Sequence, residues 1–235
     1  MLRIKTILSA GLILLLGMML SGCVVQQTTK LAEFPQMYEE DPASILILPP
    51  INESTDAEAK DYYSTTIPIP LLLHGYYVFP YELTSEILKQ EGIYDSELLS
   101  GIPLNKFFDY FGADAVLFTT IKKWDLSYVI LASSLTVSID CKIKSTHTSE
   151  TLWSYNGKVV VDLSGGSNSG GGLPALLIQA VVTAAQTASA DYVRHARTAT
   201  HLAMVALPYG RYHELYHQDM EQKIVDQTPE KKTAL

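Results

Sequence analysis

The chain has 235 residues, 47% of them apolar, and a formal net charge of −8. Such acidity argues against a nucleic-acid binder and against electrostatic docking on anionic lipid, since both need surplus Lys and Arg. The length is enough for one domain that folds without disulfides or metal.

The N-terminus carries the clearest signal. Met1 to Thr6 holds Arg3 and Lys5 and no acid, the apolar run "ILSAGLILLLGMML" follows, and "LSGC" closes it at Cys23. These are the three zones of an export signal in order. The run is shorter than the roughly 20 apolar residues of a comfortable membrane span. A cysteine directly after Leu-Ser-Gly resembles the lipobox of bacterial lipoproteins, in which the thiol receives a diacylglycerol and cleavage leaves Cys23 first. The alternative is an ordinary signal peptide with a chance cysteine. Several acyl chains, at about 0.8 kcal/mol per buried methylene, would anchor the protein firmly. Val24 stands where an aspartate would hold a lipoprotein in the inner membrane, so the resemblance implies the outer membrane, facing the periplasm.

Cleavage leaves 213 residues and, with Arg3 and Lys5 removed, a net charge of −10. Cys141 is then the lone thiol, so an intrachain disulfide is excluded. "SIDCKIK" alternates as a strand able to bury it.

Residues 23–43 are polar, broken by proline and without a period, and read as a tether. "SILILPPINES" from Ser44 reads as a buried strand stopped by Pro49-Pro50. A helix is expected around Ala57 to Thr66, ended by Ile67-Pro68-Ile69-Pro70. "GYYVFP" reads as a second strand. "LTSEILKQEG" reads as a short helix with Thr84 or Ser85 near its N-cap and Gly92 past its end.

In "PLNKFFDYFGADAVLFTTIKKWDL", Leu104, Phe107, Phe108 and Phe111 have helical spacing and Gly112 supplies the stop. An extended run then covers Ala113 to Trp124. Two long alternating segments follow, about Tyr128 to Lys144 and Thr151 to Leu163, joined as a hairpin by "STHTSE". "SGGSNSGGG" (164–172) is a break, and the alanine-rich "LPALLIQAVVTAAQTASADYVRHARTA" after it is helical in pattern. "THLAMVALPYG" continues that helix or follows it, stopped by Pro208 and Gly210. Residues 211–235 read as a polar tail. The expectation is a single three-layer α/β (α+β) domain over residues 44–210, with a mixed sheet and flanking helices.

The lipobox, "ILILPPINES", "PLNKFFDYFGADAVLFTTIKKWD", "SETLWSYNGKVVVDLSGG" and "LPYGRYH" together resemble a family of bacterial lipoproteins without an assigned function. That family is related in fold to the N-terminal domain of TolB, to CsgG of curli secretion and to LpoB, an activator of peptidoglycan synthases. The resemblance implies a domain at the outer membrane that acts through protein contacts, with a CsgG-like lipoprotein among the candidate partners. It supplies no catalytic residues and no cofactor.

One motif points elsewhere. "HELYH" places His213, Glu214 and His217 in the H-E-x-x-H spacing of a zinc peptidase, whose histidines share one face of a buried helix. Here Pro208 and Gly210 lie just upstream and a polar sequence follows, so a chance match in a surface tail is the competing reading. His195 and His201 are six apart and do not share a helix face. The glycine-rich loop lacks the Lys-Ser/Thr of a phosphate-binding loop, and no G-x-S-x-G elbow occurs.

Tyrosine is plentiful, and two clusters stand out as candidate contact surfaces. One holds Leu71, Leu72, Leu73, Tyr76 and Tyr77, and the other Tyr209 and Tyr212. A second copy of the chain is one candidate occupant. The reading is therefore a non-enzymatic binding or assembly factor of the envelope, without cofactor. A zinc hydrolase and a subunit of a secretion pore are the alternatives.

Overall fold

The N-terminal segment does not hang free. In the computed structural model, which describes residues 27–129, 132–162, 181–183 and 192–225, Gln27–Thr29 forms strand β1 and Lys30–Glu33 helix α1, capped by the Thr29 hydroxyl on Ala32 N–H. Helix α2 (Pro35–Glu40) follows with proline at its first position, where no N–H is missed. Phe34 and Met37 are buried. The tether expected over residues 23–43 is thus folded from Gln27 onward, because these apolar side chains have a core to enter. Cys23, the glycine-rich loop 164–172 and residues 226–235 lie outside the described residues.

Strand β2 (Ser44–Ile47) is buried throughout, since both its faces are covered. Ile45 and Ile47 join one core and Leu46 and Leu48 the other. Beyond Pro49-Pro50, β3 (Ile51–Asn52) continues along the same neighbour. That neighbour is β5 (Ala115–Val129), parallel to β2 with Ile45 opposite Ala115 and Ile47 opposite Leu117. The Asp114 carboxylate accepts from Ala43 N–H, Ser44 N–H and the Ser44 hydroxyl, which fixes the register where β2 and β5 begin.

The short β4 (Tyr77–Val78) lies parallel outside β2 and forms one sheet edge. On the other side β5 pairs antiparallel with β6 (Ala132–Ser145), and β6 with β7 (Thr151–Asp162). Strand β8 (Val181–Thr183) runs parallel to β7, giving the order β4-β2-β5-β6-β7-β8 with β3 on β5. A helix was expected through residues 181–183, and the structure places a strand there; Val181 and Val182 are β-branched, and β7 offers a partner.

Helices α3 (Ala59–Thr66), α4 (Pro68–Leu73) and α7 (Tyr192–Met204) pack on one face of the sheet. Helix α5 (Tyr81–Gln90), a 3-10 helix (Ser96–Gly101) and α6 (Leu104–Phe111) pack on the other. The three-layer mixed α/β architecture matches the expectation. Gly112 ends α6 at φ +69° as its sequence predicts. Helix α5 starts two residues early, on Pro80, and Thr84 is buried rather than capping. At Ile67 the chain breaks but resumes as α4, because prolines in a first turn cost no hydrogen bond.

Cys141 is fully buried on β6, 3.6 Å from Thr119 Oγ1 and 3.7 Å from Tyr63 Oη. Burial pushes its thiol up to about 12, so it is a core side chain and not a nucleophile.

Residues 211–225 are also part of the fold, in contrast to the expected tail. A run of turns leads to β9 (Lys223–Val225), which pairs antiparallel with β1, Thr28 opposite Ile224. Among the described residues no helix is long and apolar enough to cross a membrane.

Candidate functional site: a docked corner at the sheet edge

The two aromatic stretches flagged in the sequence meet at the β4 edge. Helix α4 stops because Gly75 turns left-handed, at φ +81°. The carbonyl of Pro70 accepts both the His74 N–H and, at 2.7 Å, its Nδ1–H. The segment after α7 then returns to this corner. Gly210 N–H donates to the His74 carbonyl, Tyr212 N–H to the Gly75 carbonyl, and the Tyr76 hydroxyl to the Pro208 carbonyl at 2.8 Å. A Cβ on Gly75 would sit 2.3 Å from His213 N, and one on Gly210 would sit 2.6 Å from the Gly75 carbonyl oxygen. Only glycine permits the two strands of chain to approach so closely.

A column of groups stands behind the corner. The rings of Tyr209 and His213 stack at 3.8 Å, and His74 lies 5.5 Å from Tyr209. Lys30 Nζ sits 4.5 Å from the centre of the Tyr209 ring, donates to the Leu207 carbonyl and pairs with Asp219 at 3.0 Å. Asp219 also accepts from Tyr209 N–H and from the Tyr38 hydroxyl. Burial lowers the Lys30 ammonium from its ordinary value, and the Asp219 carboxylate opposes that shift. Burial likewise lowers the His74 imidazole to about 4. Nearer solvent, Asp41 accepts from Arg211 Nε at 2.8 Å and from the Tyr216 hydroxyl at 2.5 Å.

HELYH belongs to this scaffold. Residues 213–217 form turns instead of a helix, and His217 is left-handed at φ +58°. His213 Nδ1 accepts from Leu215 N–H, while His217 stacks on Tyr216 at 3.9 Å. The histidines of a zinc peptidase must share a helix face, and His213, Glu214 and His217 have no helix to share. Among the described residues no three His, Cys, Asp or Glu side chains converge on a point that could hold a metal.

The expected contact residues divide. Leu71 and Tyr76 are core and offer no free surface, and Tyr209, half-buried, is held in the column. Leu72, Leu73, Tyr77 and Tyr212 are exposed, at 55, 60, 52 and 70%. Sequence could mark the clusters but not their faces; the participation of Lys30 and Asp219, 189 positions apart, left no local signal.

Residues 32–209 match the model of a family described as "Putative lipoprotein GNA1162-like". The chain belongs to that family. A curated member from Neisseria meningitidis serogroup B, "Putative lipoprotein NMB1124/NMB1162", is 35% identical over 163 residues, 69% of this chain and 74% of its own length. The crystal structure of lipoprotein GNA1162 from Neisseria meningitidis is 36% identical, with a TM-score of 0.49, covering 55% of this chain and 88% of that one. The PelC dodecamer from Paraburkholderia phytofirmans is 12% identical, with a TM-score of 0.46, covering 80% and 98%. Membership in this lipoprotein family agrees with the lipobox reading of the N-terminus.

Proposed function

We propose that the protein is anchored to the outer membrane through acylated Cys23, faces the periplasm, and acts without catalysis by binding another envelope protein. The observation that carries this is the exposed set Leu72, Leu73, Tyr77 and Tyr212 on a corner whose backbone is fixed by long-range hydrogen bonds. Apolar and aromatic side chains on rigid backbone lose little entropy on binding, which favours contact surfaces of this kind. Family membership supports the anchored setting.

The test places a photo-crosslinking residue at Leu73, at Tyr212, or at the exposed Tyr94 on the opposite layer, in intact cells. The same adduct is expected from Leu73 and Tyr212 and not from Tyr94, and it should vanish in Leu73→Asp/Tyr212→Ser with thermal stability kept. Equal capture at all three positions, or capture at none, overturns the reading. Mass spectrometry of the adduct then separates a CsgG-like lipoprotein or a cell-wall synthase from a second copy of this chain. Ring-shaped assemblies would favour the pore. The Cys23→Ala variant should escape lipoprotein processing; unchanged outer-membrane fractionation would contradict the anchor.

A further inference from the structure

A cavity of about 250 Å³ opens between the sheet and the 3-10 helix, away from the corner described above. One wall is apolar: Leu48, Pro49, Leu99, Ile102, Leu104 and Phe118. The other is the outward face of β6, where Asp140, Lys142 and Lys144 alternate with the buried Cys141 and Ile143. Lys142 stands opposite Phe118 on β5 and Ser154 on β7; Lys144 stands opposite Val116 and Thr151. None of these cross-strand neighbours is acidic.

Three other lysines are matched differently. Lys106, Lys122 and Lys123 each pair with a carboxylate within 3.2 Å. Among the described residues Lys142 and Lys144 have no such partner, although the chain as a whole carries an excess of acid. Asp140, two residues along the same face, offsets one of the two charges. A further cation, Lys60, lies with Nζ 3.4 Å from Ser96 Oγ on the cavity wall. Helix α6, which has no side-chain cap at its N-terminus, contributes Leu104 from its first turn.

We propose that this cavity binds a small organic anion with one carboxylate or phosphate head and a compact apolar body. The head would lie against Lys142 and Lys144, and the body against Leu99, Ile102 and Phe118. The volume lies just under the roughly 300–1,000 Å³ of pockets for drug-sized ligands, so the occupant is small. A lysine is a compact point charge that accepts either kind of head, which leaves head chemistry to the experiment. The site is independent of the protein contact proposed at the β4 edge.

The test is calorimetric titration of the mature lipoprotein held in lipid nanodiscs, with empty nanodiscs as the blank. The probes are hexanoate, hexyl phosphate, hexan-1-ol and acetate. At least one hexyl anion should bind ten-fold or more tighter than both hexan-1-ol and acetate, and the preferred anion names the head. Its affinity should fall to that of the alcohol in Lys142→Met/Lys144→Met and persist in Lys142→Arg. In Leu99→Ala it should fall while the preference over the alcohol remains. Equal binding of alcohol and anions, binding unaffected by the double lysine variant, or no binding overturns the proposal. Unfolding temperatures measured alongside ensure that each loss is read on a folded protein.

Discussion

Lys30 is 1% exposed, and its ammonium is held by one carboxylate, one carbonyl and the face of Tyr209. Two buried ions gain little over an apolar pair, but a buried ion left alone is costly. Asp219→Ala should therefore cost about 3–5 kcal/mol, while Lys30→Met/Asp219→Leu should recover most of that loss. Urea unfolding of Lys30→Met, Asp219→Leu and Lys30→Met/Asp219→Leu closes the cycle and gives the coupling directly. His74 obeys a related rule, since burial disfavours its charged form as well. Its folded value is depressed to about 4, so between pH 6.5 and 4 the unfolded chain binds the extra proton. Its contribution is full above pH 6.5 and is lost as pH falls towards 4, by up to about 3 kcal/mol. Lys30, His201 and His213 lie near it and add to the cost of charging it. In His74→Gln the fall in stability across that window should be smaller than in wild type, as read by urea unfolding at each pH.

The corner between α4 and the returning C-terminal segment is where elements depend on each other most. Gly75 and Gly92 both adopt left-handed backbone, at φ +81° and +83°, but only Gly75 meets another strand of chain. Gly92→Ala should cost about 1–2 kcal/mol, the ordinary penalty of that conformation. Gly75→Ala adds a clash with the backbone at His213 and should cost clearly more; equal melting temperatures for the two variants would contradict this. The same comparison explains what the sequence pattern showed and missed. Helices α5 and α6 were legible because their apolar spacing and the following glycines are local features. The strand at Val181–Thr183 was not, because alanine-rich surroundings hide a strand whose partner lies 21 residues away. The resumption of helix at Pro68 leaves no distinct local signal, because proline both stops one helix and suits the first turn of the next.

At the scale of the whole molecule, the two ends of the described chain hold each other. Strand β1 pairs with β9, Lys30 pairs with Asp219, and Arg211 pairs with Asp41. A chain ended after Gln218 should leave Lys30 charged and unpaired, lower the melting temperature sharply and expose the segment around Lys30 to protease. Unchanged melting would show that residues 219–225 add nothing to the domain. The sequence by itself determined the export signal and lipid-attachment cysteine as expectations, the family, the mixed α/β class and most of the central strands. Each of these depends on residue order over short range: zones of charge and apolarity, period-two alternation, and glycine stops. Only the tertiary structure decided that HELYH is a turn, that the supposed tether and tail close the fold, and which residues of the aromatic clusters face solvent. Those outcomes depend on contacts between positions more than a hundred residues apart, which chain entropy makes costly and which no local pattern encodes.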